Sequence, residues 1–269
     1  MTARSVAFRP EERPAVYWAL SDTWELVKRS LRHIRNDPDQ LVGVTVQPVV
    51  LVLLFRFFLG GAIRIGGGES YINFVMGGIF IETAALSAAT TGTSVAADMT
   101  LGVIDRFRSL PMFKSSVLIG HVVADVVRSA VAIVVMILVG FAVGFRPSAG
   151  VTGWAAAIGL TLLVTFSLAW ASAVIGLLGR SVEVVQQLGL VLFLPILASS
   201  AFVPTSTLPG PLRAFADDQP FTQAIDGVRA LLLHQDTGDH VWLALVWFIG
   251  IAALAFAVAS YLFQRRATS

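Results

Sequence analysis

Long apolar runs alternate along this chain with short polar interruptions. Six of the runs, at 41–59, 72–97, 117–145, 153–178, 186–203 and 241–263, have the length and hydrophobicity of membrane spans. A helix needs about 20 mostly apolar residues to cross a hydrocarbon core of about 30 Å. The runs are continuous and do not alternate with period two, so they predict helices and not a barrel. The connections at 60–71 and 146–152 are short, the one at 204–240 is long, and those at 98–116 and 179–185 carry charge.

Three segments outside the runs have helical periodicity of their own. In 15–36, Leu20, Trp24, Val27, Leu31 and Ile34 form one apolar stripe, with Lys28, Arg29, Arg32 and Arg35 off it. That pattern predicts a cationic amphipathic helix lying in the membrane interface or seated on a soluble partner, and Asp37-Pro38 ends it. In the stretch ADMTLGVIDRFRSLPMFKSS, Asp98 is a candidate helix cap and Pro111 a terminator. Val103, Phe107 and Leu110 share a face there, while Asp105 and Arg108 stand three apart and can pair. The result is a short helix with apolar knobs and a basic rim, suited to a groove of another protein or simply packed as a charged loop. The long connection predicts two short helices, one capped by Thr207 and running toward Asp217, the other capped by Thr222 and running to about His234. Ile225, Val228 and Leu232 share one face of the second. The pair either dips into the outer leaflet, caps a cavity, or folds as an outer loop.

Composition fixes the class. Hydrophobic residues make up 56% of the chain and charged residues 13%, with a mean hydropathy of +0.78. A soluble domain carries about 25% charged residues, so this chain lacks the polar surface to be one. Its charges are also one-sided. Placing the N-terminus inside puts thirteen of the nineteen Lys and Arg residues on the cytoplasmic side and four, Arg64, Arg146, Arg213 and Arg229, outside. By the positive-inside rule both ends are cytoplasmic. The predicted fold class is therefore an all-α integral membrane protein with six transmembrane helices and cytoplasmic N- and C-termini. An N-terminal interfacial helix and short outer helices between spans five and six complete it. Residues 1–40 form a cytoplasmic segment, 41–263 the membrane domain and 264–269 a tail. The basic balance follows from topology and does not imply nucleic acid. No cleavable leader is expected, because the first forty residues are polar and charged.

Ionisable groups inside spans are expensive and usually functional or paired. Glu82 lies about halfway through the second span; it either lines a translocation path and attracts a cationic amphipathic substrate, or bonds a neighbouring helix. Asp125 and Arg128, three apart in the third span, are predicted to pair structurally. Arg56 is placed to snorkel outward. Glu183, before the fifth span, either contacts a cytoplasmic partner or stays solvated. Pro48 and Pro195 interrupt spans and make kinks, static or pivoting. The small residues of LSAATTGTSVAA allow close helix approach, within the chain or between subunits.

Several chemistries are not supported. There is no cysteine, so no disulfide or thiolate metal site is available. His33, His121, His234 and His240 are scattered and suggest no metal centre. No phosphate-binding loop of the type G-x-x-x-x-G-K-[ST] is present, since the two lysines, Lys28 and Lys114, follow Val27 and Phe113. If ATP drives this protein, another polypeptide holds it.

The runs VIDRFRSLPM, GHVVADVVRS and VGFAVGFRP, followed by SVEVVQQLG and SSAFVPTSTLPGPLRAFADDQPFTQAIDGVRALL, resemble the membrane subunit of type-2 ABC exporters. The similarity covers roughly residues 40–263 and points to the daunorubicin/doxorubicin resistance permease branch. It implies six helices per subunit, a second copy or a homologous permease, and separate cytoplasmic ATPases that bind ATP and Mg. It further implies that the 98–111 inner-loop helix couples the ATPase to the membrane domain, through Asp105, Arg106, Phe107, Arg108, Ser109, Leu110 and Pro111, with Glu183 a second contact. His121 departs from the family, which usually has arginine there. The expected cargo is a drug, antibiotic or lipid leaving a bacterial plasma membrane. The alternatives are a cell-envelope polysaccharide or glycolipid on the same fold, or an ion-driven carrier.

Overall fold

The computed structural model describes residues 38–60, 70–101, 116–179 and 181–266, and all regular structure among them is helical. The order is α1 Pro38–Leu54, α2 Tyr71–Thr100, α3 Ser116–Ala142, α4 Val151–Leu178, α5 Val182–Val191, α6 Leu194–Leu197, α7 Gly210–Asp218, α8 Pro220–Leu233 and α9 His240–Arg266. A wider π turn, Phe55–Leu59, extends α1. Among the described residues, four helices are long and apolar enough to cross a membrane, over Tyr71–Thr100, Val117–Ala142, Val151–Leu178 and His240–Phe263. Two shorter apolar helical stretches, Thr45–Phe58 and Val182–Leu197, occupy the first and fifth expected spans.

The bundle is built around α2. In its most apolar window 83% of the residues are buried, against 22% for α9, so α2 is the hub and α9 lies at the periphery. It packs on α4, α3, α8, α5 and α1, and α4 in turn carries α9. The small residues of 86–97 set the closest of these approaches. A Cβ on Gly92 would lie 2.7 Å from the Ser172 carbonyl oxygen, and one on Gly176 2.5 Å from that of Gly92. The Gly92 N–H also donates to Ser172 Oγ at 3.1 Å. This stripe is thus a contact between helices of one chain.

The fifth span differs from the single helix expected over 186–203. It starts earlier, at Val182 behind an N-cap from Ser181, and breaks at Leu192–Phe193. Pro195 has no N–H to continue the ladder of α5, and it sits in the first turn of the next helix, where that N–H is not needed. A single turn, α6, follows and then irregular backbone to residue 204. Pro48, by contrast, sits inside a continuous α1.

Two expected caps move as well. Asp98 starts no new helix; it lies in the last turn of α2, which runs on because nothing in 72–100 interrupts it, and Leu101 closes it with an N–H bond to Ala97 O at 3.0 Å. Thr207 falls in a short 3-10 turn and Thr222 inside α8, because Pro211 and Pro220 supply the preset first-turn geometry instead. The α8 helix is no peripheral loop. Ile225, Val228 and Leu232 are fully buried and seat it against α2, α4 and α9. His234 ends it in the left-handed conformation, φ 53°. The predicted 15–36 helix lies outside the described residues.

Candidate functional site

Three polar constellations sit within the apolar bundle. The first fastens α3 to α2. Asp125 is fully buried, and its carboxylate accepts bonds from Thr90 Oγ1 at 2.7 Å, from Thr91 Oγ1 and from the Arg128 guanidinium. Ser87 Oγ adds a bond to the Asp125 carbonyl at 3.2 Å. One turn along, Ser129 and Thr165 hydroxyls meet at 2.9 Å and tie α3 to α4. The expected Asp125–Arg128 pair is present; the two threonines that complete it are the part sequence spacing did not reveal. A buried charge survives only with such a full set of partners.

The second constellation holds α8. Arg229, assigned by sequence to an outer loop, is buried and works as an interior crosslink. Its Nε donates to Phe74 O at 3.0 Å, its Nη2 to Ser200 O at 2.7 Å, and it pairs with Asp226. The guanidinium carbon lies 3.7 Å from the centre of the Phe74 ring. Asp226 also accepts from Ser200 Oγ at 2.7 Å. Arginine suits this role because its rigid fork can serve three acceptors while its flat face stacks on a ring. The available signal was an acid and a base three apart on an amphipathic helix, which is also what a solvated helix shows.

The third is Glu82, on the buried side of α2. It is fully buried, and neither carboxylate oxygen has a hydrogen-bond partner among the described residues. No bond to a neighbouring helix is recorded for it, so it stands apart from Asp125, which is saturated.

At one end of the bundle, Asp98 in α2 meets His121 in α3 at 2.9 Å. These two residues flank the connection in which Asp105, Arg106, Phe107, Arg108, Leu110 and Pro111 fall, all outside the described residues. Glu183 stands exposed in the first turn of α5, at that same end by chain order. Arg56 is exposed, as expected, and its Nε is anchored on Val143 O at 2.8 Å. A separate groove of about 460 Å³ opens between α3, α4 and α9; its lining is apolar, with Trp170 and Phe256 in edge contact at 4.9 Å. Glu82 does not line it.

The sequence profile of the ABC-2 type transporter family matches residues 21–233. The chain is 30% identical over 257 residues to the daunorubicin resistance ABC transporter permease protein DrrB1 of Streptomyces coeruleorubidus, covering 95% of this chain and 90% of that one. It is 25% identical over 277 residues to a Mycobacterium tuberculosis protein named as a probable doxorubicin resistance ABC transporter permease, DrrC, covering 100% and 98%. A multi-pass helical bundle, a family profile over most of its length and end-to-end similarity to permeases lead to one conclusion: the chain belongs to the ABC-2 type transporter family and is a permease subunit.

Proposed function

We propose that this permease is the membrane half of an ATP-driven exporter that moves amphipathic or lipophilic molecules, such as a drug, an antibiotic or a lipid, out of a bacterial cell. Both ends face the cytoplasm, where separate ATPase subunits hold ATP and Mg and press on residues 98–111. Two copies, or this chain and a homologous permease, enclose the path. The observation that carries this reading is similarity along the whole chain to two permeases named for anthracycline resistance. The polar clasp between Asp98 and His121 supports the coupling role. It ties together the two helices on which the 98–111 segment would push.

The test is to tag the chain in its native membrane, purify it in mild detergent and identify what accompanies it. An ABC ATPase is expected, with hydrolysis that collapses when Arg106 and Phe107 are replaced by alanine while membrane insertion is unchanged. Purification of the chain alone, or ATPase activity indifferent to Phe107→Ala, defeats the reading. An ion gradient would then be the next driving force to test.

A further inference from the structure

Close approaches along α2 locate what lies over Glu82. A Cβ on Gly78 would lie 2.4 Å from Ala201 O, Ala89 Cβ is 3.6 Å from a Cβ built on Gly189, and Val185 Cγ1 lies 3.2 Å from one built on Gly92. Positions 78, 82, 85, 89 and 92 form one helical stripe. The chain from 185 to 201 therefore runs antiparallel along it. Glu82, between Gly78 and Ala89, faces the part between 189 and 201. That part contains the break at Leu192–Phe193, the single turn of α6 and the fully buried Ile196.

This covering segment is one layer thick. Leu190, Val191, Leu194 and Leu197 on its far side are each 55–60% exposed. Its backbone is not a regular helix and is held by side chains. Ser199 Oγ donates to Ile196 O at 2.6 Å, Gln219 Nε2 to Ala198 O at 2.5 Å, and Arg229 to Ser200 O. Irregular backbone at membrane depth is tolerated only where protein buries it or where it lines a cavity. Broken helices of this kind lie at the substrate sites of other transporter classes. Beneath it is a carboxylate without a hydrogen-bond partner among the described residues, and in hydrocarbon a carboxylate carries charge only when a partner arrives.

We propose that Glu82 is the binding site for the ammonium group of a lipophilic amine, uncovered when segment 189–201 swings away from α2. The inference rests on the export reading above and names the chemical class that this carboxylate selects. Asp125 cannot serve, because Arg128, Thr90 and Thr91 already occupy its oxygens. Glu82 fixes the cationic end of a substrate, and the inner face of the cover, which includes the buried Ile196, meets its lipophilic body once the segment moves.

The experiment measures binding to the full chain in lipid nanodiscs. The probes are daunorubicin, which carries a primary amine, and its uncharged N-acetyl derivative, both followed by fluorescence. Wild type should prefer the amine by about thirtyfold or more, the low end of what losing one partner of a buried charge pair costs. Glu82→Gln should erase the preference and leave N-acetyl binding unchanged, while Glu82→Asp keeps a reduced preference. A second variant tests the cover without touching Glu82. In Ala89→Cys/Gly189→Cys the Cβ separation of 3.6 Å suits a disulfide, and no native cysteine competes. Oxidation should abolish amine binding and reductant should restore it. A preference that survives Glu82→Gln, or binding that survives the oxidised lock, overturns the proposal and leaves the export reading standing. If wild type binds neither probe, the drug-export reading falls along with it.

Discussion

Removing the carboxylate of Asp125 is the most quantitative probe of how this bundle is held. Asp125→Ala deletes the acceptor of three donors and takes the carboxylate partner from Arg128, which is only 5% exposed. Breaking a buried pair from one side destabilises by about 3–5 kcal/mol, mostly through the charge left behind. Hydrogen bonds between transmembrane helices average only about 0.6 kcal/mol each. The two threonine bonds therefore add about 1 kcal/mol, and the guanidinium's loss of its carboxylate dominates. It follows that Asp125→Leu/Arg128→Leu, which removes both charges and keeps apolar bulk, should regain all but about 1–2 kcal/mol of the wild-type stability. The assay is reversible unfolding in mixed micelles of increasing SDS fraction, followed by tryptophan fluorescence, for wild type, both single variants and the double. A loss below about 1 kcal/mol for Asp125→Ala would refute the account. So would a double variant no more stable than that single one, because the energy would then reside in something other than the charge pair.

Other expectations follow from the same packing. Gly92→Val places side-chain atoms within 2.7 Å of Ser172 and should separate α2 from α4, with a loss of about 1–3 kcal/mol or failure to fold, read by the same unfolding assay. Arg229→Ala should release α8, raising amide hydrogen exchange across 220–233; Arg229→Lys should rescue little, since one ammonium cannot replace a fork serving Phe74, Ser200 and Asp226. Asp98→Asn and His121→Ala should lower substrate-stimulated ATPase activity by similar amounts, and the double variant no further than either alone, as expected of two halves of one contact.

Much of this protein could be read before any coordinates. Membrane residence, the order of the apolar segments, four of them long helices, and the family all follow from the continuous runs and the motifs around them, because span length and water rejection are local properties of sequence. The Asp125–Arg128 pair was legible for the same reason, three residues on one helix being neighbours whatever surrounds them. Residues 105–111 are expected to couple the ATPase from resemblance alone and lie outside the described residues, while the helices on either side of them meet at Asp98 and His121. What folding alone decided concerns partners distant in the chain. Arg229 reads as an outer-loop charge until α8 seats it against Phe74 and Ser200, 155 and 29 residues away. Glu82 reads as one acid in a span until Gly78 and Ala89 show which segment lies across from it. Hydropathy measures how much a residue avoids water, but whether a buried charge finds a partner depends on the geometry of helices that only tertiary packing brings together.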